Sequence, residues 1–281
     1  MEDLDGPRTV PGAAARILED LRWLGLDWDE GPDTGGPHAP YQQSERSTIY
    51  RAAIETLGDR VFECWCSRAE IARAASAPHA GEDGPRYPGT CRTITSERRA
   101  QLEREGRRPS LRLRVDPGEV NFIDMVAGRH SQDVSAVVGD FVLRRADGLW
   151  AYQLAVVVDD AAMAIEEVVR GDDLLASTPR QLLLADLLGA PRPRYAHLPL
   201  VLGKSGQRLA KRDGPIASGS VRALREAGMS SVQIIGRLAA TLGLCPPGEE
   251  RAPSALLHNF TFAQLHKDPA LVDPASWIAA R

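Results

Sequence analysis

The texture of the chain changes at residue 111, and that change limits its fold more than any other feature. Leu111-Arg112-Leu113-Arg114-Val115 alternates apolar and charged residues, the period of a strand with one buried face. Asp147-Gly148 separates Phe141-Val142-Leu143 from Leu149 to Val158, a strong hairpin signal. Within the second arm, Leu154 to Val158 is continuously apolar, which predicts a strand buried on both faces, and Val168-Val169 predicts a shorter one. On both sides of this β-rich middle, helix and strand alternate. That arrangement predicts an α/β domain carrying an insertion.

The flanking elements are marked by local chemistry. Pro11-Gly12 opens a helix whose Ala14, Ile17, Leu18, Leu21 and Leu24 fall on one face before Gly25. Residues 30–40 read as a loop. Ser44 is a candidate N-cap for a helix ending near Gly58, and Val61 to Cys66 reads as a short strand. The Pro/Gly-rich stretch 76–90 is a loop, and Glu97 to Gly106 a charged helix. Pro179 to Leu188 predicts a helix closed by Gly189, followed by a strand from His197 to Leu202. Beyond 216 the pattern is helical, at Val221 to Ala227 and Ser231 to Leu244.

The 281 residues are 43% hydrophobic and contain no apolar run near the ~18 residues of a membrane span, so no membrane role is expected. Met1-Glu2-Asp3-Leu4-Asp5 lacks the basic-then-apolar pattern of a signal peptide, and a cytoplasmic location with reduced cysteines is expected. A net charge of −4 argues against a nonspecific nucleic-acid coat while allowing a local basic face.

Three groups of residues stand out chemically. Cys64, Cys66 and Cys91 lie close in sequence with Tyr87 and His79, which suits structural zinc with either as fourth ligand; three reduced thiols in a small core is the alternative. The stretch from Gly203 to Gly214 is cationic and follows a buried strand, where α/β sheets bind ligands. It suits a polyphosphate, although it lacks P-loop order and could be a solvated turn. The lysines number three, and two of them, Lys204 and Lys211, fall in this stretch. Arg170, at the end of a strand, could hold a carboxylate bidentately, or pair internally with Asp159, Asp160 or Asp172. His130 and His197 stand alone and are given no catalytic role.

In order along the chain, Glu2-Asp3-Leu4-Asp5, Gln43-Ser44-Glu45-Arg46, Cys64-Trp65-Cys66, Tyr87-x-Gly89-Thr90-Cys91-Arg92, Asp147-Gly148-x-x-Ala151-Tyr152, Ala155 to Asp160, Val169-Arg170-Gly171, Ser177 to Gln181 and Leu209-Ala210-Lys211-Arg212 resemble the glutamyl-tRNA synthetase superfamily. The resemblance implies a class I Rossmann-type catalytic domain in two parts, 1–60 and 146–215. Between them it implies a zinc-containing, acceptor-binding-like insertion at 61–145, and after them a short helical C-terminal region at 216–281. It also implies activation of glutamate by ATP with Mg²⁺. Glu2, Tyr152 and Arg170 would contact glutamate, with Glu2 on the amino group and Arg170 on a carboxylate. Lys211, in the KMSKS-type loop, would bind ATP and act catalytically on the α-phosphate. Cys64, Cys66, Tyr87 and Cys91 would bind zinc.

Because the chain ends soon after that loop, without helical anticodon-binding domains, the resemblance is to the branch that attaches glutamate to the queuosine base of tRNA(Asp). The insertion would receive the anticodon loop, and the enzyme is expected to be a monomer. Two departures accompany this: Ala210 replaces the usual serine of the loop, and the chain starts at a motif that the family precedes with a strand and a HIGH-bearing helix. The first strand of the Rossmann domain is therefore expected to be missing, its neighbours to show apolar surface, and the activity of the chain to be impaired. An inactive fragment, a tRNA-binding relic, and a piece of a glutamyl-tRNA synthetase are the alternatives.

Overall fold

The structure, a computed structural model, describes residues 1–6, 10–74, 86–209, 219–258 and 260–279. Helix α1 (Ala13–Trp23) follows the Pro11-Gly12 pair, and α2 (Ser47–Leu57) stops at Gly58, whose φ of 50° suits a residue without Cβ. Strand β1 (Val61–Cys64) leads to α3 (Arg68–Ala74) and then α4 (Ser96–Arg104), which Thr95 caps by accepting from the Arg98 amide. Next come β2 (Ser110–Leu113), β3 (Glu119–Asp124), β4 (Gly128–Asp133), the single turn α5 (Val134–Val137) and β5 (Phe141–Arg144). The chain continues through α6 (Tyr152–Ala162), β6 (Glu167–Gly171), a 3₁₀ segment (Asp172–Ser177), α7 (Thr178–Leu188), β7 (Arg194–Leu198) and β8 (Val201–Gly203). It closes with α8 (Val221–Glu226), α9 (Ser231–Thr241), α10 (Pro253–Leu256), β9 (Ala270–Val272) and α11 (Pro274–Ala279).

Strands β1, β2 and β5 form an antiparallel sheet. A second sheet runs β4-β3-β7-β6, parallel between β3, β7 and β6 and antiparallel between β3 and β4. One sheet thus contains strands from both the 61–145 and the 146–215 segments. β6 is an edge strand among the described residues, and its Val169 is 49% exposed. In the C-terminal region the structure adds a strand to the expected helices: β9 pairs in parallel with β8.

The main core joins α2, β2, β5, α6 and α7 through Tyr50, Leu57, Leu113, Leu143, Leu154, Leu182 and Leu184. Each fully buried leucine contributes about 1.5–3 kcal/mol. A separate core packs Leu24, after α1, against Leu224, Ile234 and Ile235 of the C-terminal helices. Among the described residues no helix is long and apolar enough to cross a membrane.

Four local expectations are corrected. Leu154 to Val158 lies in helix α6, not in a strand. A continuous apolar run fits either element when every side is covered, and here Leu154, Ala155, Val157 and Val158 are all buried. The Asp147-Gly148 turn does form, with the Arg145 amide donating to the Leu149 carbonyl at 2.8 Å, but pairing ends at the Arg144–Trp150 bridge. The predicted strand from His197 to Leu202 is split around Pro199, which has no N–H to give a ladder. Ser44 does not cap α2; it binds Asp3 instead.

Candidate active site

The first residues are fixed by side chains that the sequence motifs supply. Asp3 accepts from the Ser44 amide at 2.8 Å and from its hydroxyl at 2.6 Å, Leu4 packs on the main core, and Asp5 faces Arg145 at 3.5 Å. Gln43 and Arg46 serve a different carboxylate. Asp159 of α6 accepts from Gln43 Nε2 at 2.9 Å, Arg46 Nε at 2.7 Å and the Tyr50 hydroxyl at 2.9 Å. Arg46 also donates to the carbonyls of His38 and Pro40. This buried charge pair is fully hydrogen-bonded, and it ties α2 and the loop before it to α6.

Glu2, Tyr152 and Arg170 come together, although they are up to 168 residues apart in sequence (170 − 2). Tyr152 begins α6, and Arg170 lies near the carboxyl end of β6, where ligands bind in open α/β sheets. Burial pushes the Tyr152 hydroxyl above its usual range, helped by the charge of Glu2 and opposed by the charge and hydrogen bond of Arg170. Asp160 joins this group. Burial and then the neighbouring Asp159 charge push it up to about 6, against the pull of Arg170.

Of the three internal partners considered for Arg170, none is within ion-pair distance among the described residues: Asp159 is taken by Arg46, and Asp160 acts only at longer range. Arg170 instead donates from Nε to His197 Nε2 at 3.0 Å, and from Nη2 to the Thr178 hydroxyl at 2.8 Å and the Leu174 carbonyl at 3.4 Å. Its guanidinium also stacks over the Tyr195 ring at 5.0 Å. A cation held by neutral groups keeps its charge for a ligand. His197, given no catalytic role from the sequence, and Thr178, quoted only within a motif, are the partners of Arg170; His197 has no signal of its own, because its partners Arg170 and Asp124 are 27 and 73 residues away.

The thiols also converge. The sulfurs of Cys64, Cys66 and Cys91 lie within 4.8 Å of one another, in a small core with Trp65, Ile71, Tyr87 and Leu102. The Tyr87 hydroxyl accepts from the Cys91 amide at 2.8 Å and lies 3.4 Å from the Cys64 sulfur. A hydrogen bond from Cys91 lowers the Cys64 thiol, while burial raises the Cys66 thiol and the Tyr87 phenol. Sulfurs bound tetrahedrally at about 2.3 Å to zinc sit roughly 3.8 Å apart, so this donor set fits the ion with little movement. His79, the other candidate ligand, lies outside the described residues.

Lys211 also lies outside the described residues. The described part of its loop is tied down: Lys204 pairs with Asp273 at 2.9 Å and Arg208 with Asp173 at 3.1 Å. Gly171, beside Arg170, leaves room for this arrangement, since a Cβ there would stand 2.6 Å from an Asp173 oxygen.

The family described as tRNA synthetases class I (E and Q), catalytic domain, matches residues 1–252. A glutamyl-Q tRNA(Asp) synthetase of Symbiobacterium thermophilum is 49% identical over 283 aligned residues, covering 100% of this chain and 86% of that protein. A glutamate–tRNA ligase of Heliobacterium modesticaldum is 40% identical, covering 99% of this chain but 56% of its own length. The crystal structure of a glutamate tRNA ligase from Elizabethkingia meningosepticum, in complex with its amino acid, superposes with a TM-score of 0.80 at 27% identity; 99% of this chain spans 61% of that one. The chain has the class I synthetase catalytic fold and belongs to the glutamate and glutamine family of class I tRNA synthetases, among the glutamyl-Q tRNA(Asp) synthetases.

Proposed function

We propose that the protein activates glutamate with ATP and transfers the glutamyl group to the queuosine base in the anticodon of tRNA(Asp). The observation that carries this reading is the Arg170 guanidinium at the end of β6, which has no carboxylate within ion-pair distance among the described residues and shares its site with Tyr152 and Glu2. A dicarboxylic amino acid supplies the matching charges. Arg170 takes a carboxylate, Glu2 takes the ammonium, and the Tyr152 hydroxyl is within electrostatic reach of both. In the first step a carboxylate oxygen of glutamate attacks the α-phosphorus of ATP, and pyrophosphate leaves; Mg²⁺ would supply charge neutralisation on the phosphates. In the second, a nucleophile on the RNA attacks the acyl carbon, and AMP leaves. Lys211 is assigned to the α-phosphate, where a cation stabilises charge that develops in the transition state. The acceptor is assigned to tRNA(Asp) because the glutamyl-Q tRNA(Asp) synthetase named above is 49% identical to this chain and the glutamate–tRNA ligase 40%.

Zinc, held by Cys64, Cys66, Cys91 and Tyr87, would supply cross-linking to the segment 61–145, which we assign to the RNA. The protein is taken to act as a monomer in the cytoplasm. The test is glutamate-dependent exchange of pyrophosphate into ATP by protein expressed from its complete gene. Exchange with glutamate, and none with glutamine or aspartate, is expected; exchange that is indifferent to the amino acid overturns the assignment of Arg170 and Glu2.

A further inference from the structure

Beneath Arg170 lies a chain of buried groups that contact no substrate in the reading above. Asp124, the last residue of β3, is 2% exposed, and His197 of β7 is 1% exposed. One Asp124 oxygen lies 2.6 Å from His197 Nδ1. The carboxylate also accepts from the amides of Val126 at 2.9 Å, Ala127 at 2.8 Å and His197 at 3.1 Å. Burial would raise this carboxyl, but those amides and the His197 side chain together hold it below its usual range.

The tautomer of His197 follows from its neighbours. Arg170 Nε–H is an obligate donor and points at Nε2 from 3.0 Å, so Nε2 must carry a lone pair. The proton then sits on Nδ1 and is donated to Asp124. Burial pushes the imidazole below its usual range, so it stays neutral. Thr178 completes the cradle, with its hydroxyl 3.1 Å from Nε2 and 2.8 Å from Arg170 Nη2. The Tyr195 ring stacks on His197 at 5.8 Å and also lies under the guanidinium.

We propose that Asp124 and His197 are positioning residues for the amino-acid site: Asp124 fixes the Nδ1–H tautomer of His197, and His197 Nε2 fixes the Nε edge of Arg170 so that its remaining N–H groups face the substrate carboxylate. The inference rests on the assignment of Arg170 to glutamate. It explains why a buried histidine stands beside an arginine: a neutral acceptor orients the cation without neutralising it, as an aspartate in the same place would. Outer partners of this kind hold ligand-binding groups in their productive geometry.

The experiment is calorimetric titration of glutamate into protein expressed from its complete gene. Loss of an oriented hydrogen bond to a charged group predicts that His197→Ala weakens glutamate binding by about tenfold to a hundredfold. His197→Gln places an amide oxygen near the position of Nε2 and is expected to recover most of that loss. In ATP–pyrophosphate exchange the His197→Ala defect should appear in the glutamate KM, with kcat changed less than about threefold. If Arg170→Ala weakens binding and His197→Ala does not, the positioning role is overturned while the assignment of Arg170 stands. If Arg170→Ala also binds normally, both are overturned. Should His197→Ala fail to fold, ¹⁵N NMR of the unaltered protein decides, with the His197 signals identified by their loss in His197→Gln. A neutral Nδ1–H imidazole at pH 7 is expected; an imidazolium or an Nε2–H tautomer cannot accept from Arg170 and refutes the proposal.

Discussion

At the scale of single residues, the account separates groups that bind from groups that act in the transition state. Arg170→Ala should raise the glutamate KM at least about tenfold, because the carboxylate contact proposed for it would be present before and during reaction. Lys211→Ala should instead lower the activation rate by a factor on the order of 10²–10³ with little change in glutamate affinity, since the charge proposed for the α-phosphate would act most as that group becomes pentavalent. Lys204 is the control. It pairs with Asp273 on the surface, and Lys204→Ala should cost less than about tenfold in rate, as expected of an exposed ion pair. Steady-state exchange kinetics of the three variants check this, and equal losses at Lys204 and Lys211 would mean diffuse charge in place of one specific lysine. Asp160 gives a pH prediction. Its carboxyl is raised from 3.8 to about 6, so between those values the folded protein holds a proton that the unfolded chain has released. Stability therefore falls as pH rises through that window. Asp160→Asn should be more stable than the parent at pH 8, by on the order of 1–2 kcal/mol, and no more stable near pH 3.5. Urea unfolding at the two pH values measures it, and a difference independent of pH would show that folding does not shift the Asp160 carboxyl.

Among elements, two ties are open to test. The first is the clamp of Asp159 on α6 by Gln43, Arg46 and Tyr50 from α2 and the turn before it. Asp159→Ala leaves Arg46 buried without its partner and should cost about 3–5 kcal/mol in urea unfolding. A loss below 1 kcal/mol would mean that water reaches the Arg46 charge. The clamp gives Gln43 and Arg46 a role that the nearby cap candidate, Ser44, did not suggest. The second tie is the thiol cluster joining β1 to the turn around Cys91. Metal analysis should find about one zinc per chain in the parent and below about 0.2 in Cys91→Ser, since the thiolates supply the binding free energy. Tyr87→Phe keeps the packing and removes the oxygen. If that oxygen is the fourth donor, zinc affinity should drop at least roughly 10–100-fold, as loss of even an outer-shell group does. Unchanged affinity in Tyr87→Phe would leave His79 as the fourth ligand.

For the molecule as a whole, what could be read in the sequence depended on range. The helices bounded by Gly58 and Gly189, and the turn at Asp147-Gly148, were visible because glycine chemistry acts within a few residues. Glu2, Tyr152, Arg170 and the three cysteines could be chosen through motif resemblance, and the fold does bring each set together. Helix α6 was misread as a strand because burial on every side erases the difference between the two periods. The partners of Arg170 were hidden for another reason: the β3–β7 pairing that brings Asp124 to His197 joins residues far apart along the chain. The central claim concerns where the glutamyl group goes, and one measurement reaches it directly. Protein from the complete gene is incubated with ATP, radiolabelled glutamate and either tRNA(Asp) bearing queuosine, tRNA(Asp) lacking it, or tRNA(Glu). The account predicts label on the queuosine-bearing tRNA alone, retained after periodate treatment of the 3′ end and recovered in the anticodon fragment. Label on the 3′ end of tRNA(Glu) would contradict it.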